Sequence, residues 1–110
     1  MTNSYISNFF SLDKKVAVII GAGGHLCSEI ARGLIYSGCS VALLDLRIQK
    51  IKKVKNELNL KGYKNIIIHE INAEKKDEHK KALKEIIKIF KKIDILVNGA
   101  GINSPNSFFD

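Results

Sequence analysis

Four short apolar runs alternate along the chain with three longer segments in which apolar residues recur every three or four positions. The runs, rich in valine, isoleucine and leucine, cover Val16 to Ile20, Val41 to Asp45, Ile66 to Ile68 and Ile93 to Val97. Continuous apolar runs of this length are typical of parallel strands that are buried on both faces. The pattern therefore predicts the element order β-α-β-α-β-α-β.

The segments between the runs have helical periodicity and predict helices over His25 to Ser37, Ile48 to about Leu60 and Asp77 to about Lys91. Gly38 and Gly62 follow the first two, at the position where helices commonly end. The apolar positions expected on the three inner faces are Leu26, Cys27, Ile30, Ala31, Leu34 and Ile35; Ile48, Ile51, Val54 and Leu58; and Leu83, Ile86, Ile87 and Phe90.

Strict alternation of strands and helices predicts an α/β fold of Rossmann type, with parallel strands and right-handed crossovers. The expected strand order is 3-2-1-4, which places strands one and four at the point where ligands bind. We expect an arm over residues 1–12, a half-domain over 13–103 and a short tail over 104–110. The sheet would be incomplete, and its apolar fourth strand would form an edge that favours self-association.

The turn after the first strand carries the clearest chemical signal. Gly21-Ala22-Gly23-Gly24 joins that strand to the helix that begins at His25. This arrangement points the free N–H groups of a helix N-terminus at an anion, and a dinucleotide diphosphate is the usual ligand. By themselves, Gly21 and Gly23 are also compatible with a tight turn that binds nothing.

An acidic residue at the end of the second strand supports the nucleotide interpretation. Asp45 lies 24 residues beyond Gly21, near the spacing of roughly 20 at which a carboxylate binds the adenosine ribose. A carboxylate there repels a 2′-phosphate, so NAD is favoured over NADP. Arg47 would either soften that preference or stack on adenine.

The composition of the chain limits the kinds of ligand and partner that we expect. The net charge of +7 raises nucleic acid as a ligand, but only Arg32 and Arg47 among the 18 basic residues are arginines. Because base and phosphate recognition favours arginine, the lysines read as a solubilising surface and nucleic acid is disfavoured. Cys27 and Cys39 form neither a disulfide framework nor a zinc motif, and no metal site is predicted. Without a signal peptide or an apolar membrane span, the expected location is the cytoplasm and no membrane partner is expected.

These motifs resemble the short-chain dehydrogenase/reductase family over about residues 10 to 105. The family's TGxxxGxG motif corresponds to the window from Ile20 to Cys27, in which Gly21 is kept and His25 and Cys27 replace the other two motif glycines. The family's NNAG motif corresponds to 98–101, read here as Asn-Gly-Ala-Gly. His25 would narrow the diphosphate site, donate to phosphate, or lie exposed at the helix start without a role.

Two further features extend the resemblance. Asn72 stands where the family has an acidic residue that contacts adenine, and the lead-in Phe10-Ser11-Leu12 is similar to that of fructuronate reductases (mannonate oxidoreductases). Motifs and resemblance together predict one dinucleotide site. Its residues are Gly21, Gly23, Gly24, His25, Leu26, Asp45, Leu46, Arg47, Asn72, Ala73, Asn98, Ala100 and Gly101.

The resemblance also implies chemistry that these 110 residues do not carry. The family relies on a Ser and a Tyr-x-x-x-Lys pair beyond the fourth strand, whereas Tyr5, Tyr36 and Tyr63 are not followed by lysine at that spacing. We therefore expect the cofactor-binding part of an oxidoreductase for an alcohol or ketone, such as a sugar acid, with no catalytic residue. A small-molecule substrate would bind only to a full-length parent. The alternatives are a non-catalytic nucleotide-binding half-domain and, less favoured, a basic nucleic-acid-binding protein.

Overall fold

The computed structural model describes residues 11–72 and 74–99. The predicted tail over 104–110, most of the predicted arm, and the predicted site residues Ala73, Ala100 and Gly101 lie outside them. The described elements are β1 (Val16–Ile20), α1 (His25–Tyr36), β2 (Ser40–Asp45), α2 (Ile48–Leu60), β3 (Ile66–Glu70), α3 (Lys76–Phe90) and β4 (Ile95–Asn98). All strands are parallel in the order β3-β2-β1-β4, which confirms the predicted Rossmann-type topology.

β1 and the second helix have the predicted boundaries, and the other elements differ from them by one or two residues. Tertiary hydrogen bonds explain the difference at β4. Asp94 exchanges two bonds with Val16: its N–H donates to the Val16 carbonyl at 2.8 Å, and its carboxylate accepts from the Val16 N–H at 2.8 Å. These bonds anchor the entry to β4, which begins at Ile95 rather than Ile93. Ile93 instead packs with the residues on the face of the sheet that α3 covers.

Both faces of the sheet are covered, which explains the uninterrupted apolar runs. Ala17, Ile19, Val41 and Leu43 pack with α1 and α2 on one face, whereas Val18, Ile20, Ala42 and Leu44 pack with α3 on the other. The buried helix residues are Cys27, Ala31 and Ile35 of α1, Ile51, Val54 and Leu58 of α2, and Ala82 and Ile86 of α3. The sheet therefore forms a core that is packed on both faces.

Two helix residues expected to face the core do not. Leu26 is 51% exposed and Ile87 is 48% exposed. Each lies at the margin of its helix's apolar stripe, because the stripes centre on Cys27-Ala31-Ile35 and on Ala82-Ile86. At 100° per residue, the neighbouring position turns away from the sheet.

The β4 edge leaves apolar surface uncovered in the described part of the chain. Leu96 pairs in register with Val18, on the α3 side of the sheet, yet is 58% exposed.

Within 11–72 and 74–99, no helix combines the length and the apolar character needed to cross a membrane.

Candidate functional site

The turn predicted to bind an anion is fastened to the neighbouring strand. Gly21 has a φ of 80°, a conformation that side chains disfavour, and its N–H donates to the Leu44 carbonyl at 2.7 Å. The Ala22 N–H donates to the same carbonyl at 3.0 Å. The turn therefore sits at the carboxyl end of β2 as well as of β1.

The free donors of this turn lie at the start of α1, not at its glycines. The Gly24 N–H already donates to the Gly21 carbonyl at 3.1 Å, and helical bonding begins with the Ser28 N–H, which donates to the Gly24 carbonyl at 2.9 Å. The N–H groups of His25, Leu26 and Cys27 therefore open the helix without an intrahelical acceptor. The first turn of α1 carries no acidic side chain, so its positive end suits an anion.

Asp45 lies beside the turn and is held as a carboxylate. It is 5% exposed; its Oδ2 accepts from the Gly23 N–H at 2.8 Å, and its Oδ1 accepts from the Arg47 N–H at 2.8 Å. Burial alone raises the pKa of this carboxyl, but the bonds from Arg47 and Gly23 outweigh it, and the pKa lies below its ordinary value. Asp45 is thus negatively charged at neutral pH.

Arg47 binds Asp45 with its side chain as well. Its Nε donates to Oδ1 at 3.0 Å and its Nη2 donates to Oδ2 at 3.1 Å. The Arg47 side chain is 45% exposed, so solvent reaches it. Sequence reasoning placed Arg47 against the cofactor and missed this pairing, although a basic residue two positions after a strand-end aspartate was a usable signal.

Gly23 is required by its neighbours. An added Cβ would lie 2.9 Å from Asp45 Oδ2 and 2.9 Å from the Cβ of Lys50 in α2. Close packing of the turn against Asp45 and α2 therefore leaves no room for a side chain at this position.

Asn72 shapes the loop before α3. Its Oδ1 accepts from the Glu74 N–H at 3.0 Å, and its carbonyl accepts from the Lys75 N–H at 3.0 Å. The preceding Ile71 N–H donates to the Asp45 carbonyl at 3.2 Å, which brings this loop to the end of β2. The side-chain oxygen of Asn72, a predicted site residue, thus already accepts a hydrogen bond within the loop, while its amide nitrogen can act only as a donor.

Cys27 and Gly99 meet where β1 and β4 end. The Gly99 N–H donates to the Ile20 carbonyl at 2.8 Å, and an added Cβ at Gly99 would overlap the Cys27 sulfur. Burial, with a contribution from Asp45, raises the pKa of the Cys27 thiol, which is therefore an unreactive packing group. The sequence carried this signal in two departures from the resembled motifs, Cys for Gly and Gly for Asn, at positions that touch.

The carboxyl ends of β1, β2 and β4 thus bring together the glycine turn, Asp45, Arg47 and Asn98, which is paired with Ile20 in the sheet. His25, Leu26 and Leu46 are exposed around them. The described residues also form a groove of about 820 Å³ at the opposite end of the sheet, lined by Tyr36, Tyr63 and Asn65 among others, none of which was predicted to bind the nucleotide. The candidate site is an open edge suited to an extended ligand.

Comparison with known proteins places this arrangement in a family. The family model for short chain dehydrogenases matches residues 15–110. An uncharacterized oxidoreductase of Haemophilus influenzae is 38% identical over 100 residues, covering 91% of this chain and 35% of that protein.

Comparison with solved structures gives the same result as comparison with sequences. A Haemophilus protein described as a candidate D-mannonate oxidoreductase, with bound NAD, has a TM-score of 0.79 at 38% identity, covering 91% of this chain and 35% of that one. The 2-keto-3-deoxy-D-gluconate dehydrogenase of Streptococcus agalactiae has a TM-score of 0.82 at 26% identity, covering 99% of this chain and 41% of that one. The chain thus spans about a third to two fifths of the length of these relatives.

Proposed function

Because the chain belongs to the short-chain dehydrogenase family, we propose that it forms the adenosine-binding part of an NAD-dependent oxidoreductase. The observation that carries the proposal is the buried, ionised Asp45 beside the glycine turn, linked to it by the Gly23 N–H at 2.8 Å. A carboxylate next to a helix N-terminus offers an acceptor for ribose hydroxyls and donors for a diphosphate in one place. When bound, the nicotinamide of the cofactor would supply hydride transfer.

We assign the residues of the edge to parts of the dinucleotide. The amides of His25, Leu26 and Cys27 hold the diphosphate, and Asp45 binds the adenosine ribose. The exposed Leu46 and the Asn72 amide lie towards adenine. Asn98, together with Ala100 and Gly101 outside the described residues, continues the site along the end of β4.

The charge of Asp45 supports a preference for NAD over NADP. The carboxylate is 5% exposed, so a 2′-phosphate brought to it would meet a negative charge that solvent screens poorly. Arg47 offsets part of that repulsion.

The substrate belongs to the full-length parent, and we propose an alcohol or ketone of the sugar-acid class. The support is the pair of related structures, one described as a candidate D-mannonate oxidoreductase and the other a 2-keto-3-deoxy-D-gluconate dehydrogenase. Both names denote oxidation or reduction of a sugar acid.

Location and assembly are also proposals. Cys27 and Cys39 are free and buried, which suits a reducing compartment such as the cytoplasm. The exposed Leu96 at the β4 edge favours self-association, which light scattering of the chain at two concentrations would test.

Calorimetric titration of the chain tests the cofactor proposal. We expect heat and saturation with NAD and with ADP-ribose, because both carry the adenosine ribose and the diphosphate, and weaker binding of NADP. A single-stranded RNA of matched charge serves as the control, since non-specific phosphate binding would weaken steeply as salt is raised. Absence of saturable binding by both NAD and ADP-ribose would reject the proposal.

A further inference from the structure

The groove of about 820 Å³ at the amino end of the sheet presents an aromatic surface. It lies between the end of α1 and the connection from α2 to β3, and its lining includes Tyr36 and Tyr63. The centroids of these two rings are 5.3 Å apart, and the rings are tilted by 54°. Both tyrosines are exposed, so an occupant of the groove can pack against them.

The described chain begins in the wall of this groove. Ser11 and Asp13 both line it. Between them, the Leu12 N–H donates to the Ser37 carbonyl at 3.0 Å, and the Leu12 side chain packs against the core on the face covered by α1 and α2. The N-terminal segment, residues 1–10, is therefore joined directly to a residue that is fixed in the groove.

The composition of the N-terminal segment matches the groove. The segment contains none of the chain's 18 basic and 11 acidic residues, and half of its residues are hydrophobic, including the pair Phe9-Phe10. Among the described residues that line the groove, Asp13 and Lys64 alone are charged. Burial of phenylalanine rings against aromatic and apolar walls is favourable, and no charge of the segment would lose its hydration.

The position of Phe9 in the sequence favours it as the residue that fills the groove. Side chains alternate along an extended chain, so residue 9 would share a side with Ser11 and Asp13. The backbone advances about 3.3–3.6 Å per residue, which limits the distance from Phe9 to Ser11 to roughly 7 Å. Ser11 shares the groove lining with both tyrosines.

We propose that the N-terminal segment of the same chain occupies this groove, with the Phe9 ring against Tyr36 and Tyr63. The segment then connects the entry to β1 with the end of α1 and the start of β3, at the end of the sheet opposite to Asp45. The groove is a packing site for the chain itself and not a second ligand site. This inference does not depend on the proposed function.

Nuclear Overhauser effects measured on the whole chain test the contact directly. With Phe and Tyr side chains labelled with ¹³C, cross-peaks should join the Phe9 ring to the ring of Tyr36 or Tyr63. Phe108 and Phe109 form the matched pair at the other end of the sequence, and neither should show a cross-peak to these tyrosines. Absence of cross-peaks from Phe9 to both tyrosines would overturn the proposal.

A mixture of labelled and unlabelled chains identifies which chain supplies the segment. Cross-peaks from Phe9 that arise within one labelled chain support the proposal. If they arise only between a labelled and an unlabelled chain, the segment of a second copy fills the groove, and docking within one chain is wrong.

Urea unfolding of two matched variants measures the effect on stability. Phe9→Ser should lower the equilibrium constant for folding about 5- to 30-fold, because a buried ring is lost. Phe108→Ser should leave the constant unchanged. In a Tyr63→Ser background the loss caused by Phe9→Ser should shrink, since part of the contact is already missing. Equal losses for Phe9→Ser and Phe108→Ser would contradict the proposal.

Discussion

Asp45 and Asp94 lie at opposite ends of the sheet and are held in much the same way. Each carboxylate accepts a hydrogen bond of 2.8 Å from a backbone N–H that is distant in sequence: Asp45 from Gly23, and Asp94 from Val16. Each also pairs with a basic side chain two positions away, Arg47 at 3.0 Å and Lys92 at 3.0 Å. Both carboxyl pKa values lie below the ordinary value; at Asp94 the Val16 N–H is the main cause.

Asp45 and Asp94 differ in their surroundings. The Asp94 side chain is 27% exposed, and its bonds to Val16 close the amino end of the β1–β4 pair. Asp45 is 5% exposed and shares its end of the sheet with the start of α1. Since parallel strands bring every helix N-terminus to their carboxyl ends, only the carboxylate at that end has anion-binding donors beside it. The direction of the strands, more than the local hydrogen bonds, therefore makes Asp45 a candidate cofactor ligand and Asp94 a structural residue.

Exchanging each carboxylate for its amide tests this comparison most strongly. Asp45→Asn should lower the affinity for NAD about 10- to 100-fold, because the charge-assisted bonds to the ribose hydroxyls are lost. Asp94→Asn should leave the affinity unchanged and reduce the resistance to urea. Calorimetry and urea unfolding of both variants provide the two measurements, and equal losses of NAD affinity would contradict the distinction.

The steric fit of the turn against Asp45 can be broken without altering charge. Gly23→Ala should lower the free energy of unfolding by about 1–3 kcal/mol, because its Cβ would press on Asp45 and Lys50. Gly33→Ala is the matched control: nothing lies within 4 Å of a Cβ there, and the residue is inside α1. It should gain about 0.5–1 kcal/mol from helix propensity. Urea unfolding measures both, and a Gly23→Ala chain as stable as the native one would refute the tight fit.

The contact between Cys27 and Gly99 tests how tightly the same end of the sheet is packed. Gly99→Ala should destabilise the chain, since the new Cβ meets the Cys27 sulfur, and Cys27→Ala should relieve much of that loss. The interaction free energy from the double-mutant cycle should be about 1 kcal/mol. Additive losses measured by urea unfolding would show that the two positions are independent.

The smallest expected effect is the dependence on pH. Because the pKa values of Asp45 and Asp94 are lowered by folding, their contribution is fully present above the ordinary carboxyl pKa of about 4 and is lost as the pH falls through the folded value. The gap in urea midpoint between the native chain and Asp94→Asn should hold from about pH 7 to 5 and shrink below about pH 4. A gap that closed between pH 7 and 5 would implicate another group.

Periodicity and spacing were enough to predict the order of the elements and of the strands. A buried strand needs a continuous apolar run and an amphipathic helix needs a repeat near 3.6, and both are properties of neighbouring residues. The same holds for the turn at Gly21 and for Asp45, whose place follows from strand ends meeting at one edge. The inward faces were predicted correctly at Ile51, Val54 and Leu58.

The rest depended on side chains that meet only in the folded chain. Leu26 and Ile87 are as apolar as their buried neighbours, and only the orientation of each helix on the sheet leaves them exposed. The saturation of Asp45 by Arg47 required the geometry of the β2–α2 junction, and the contact of Cys27 with Gly99 joined positions 72 residues apart. Local sequence thus determined which elements form and where the acid lies, whereas packing decided which groups are already engaged when a ligand arrives.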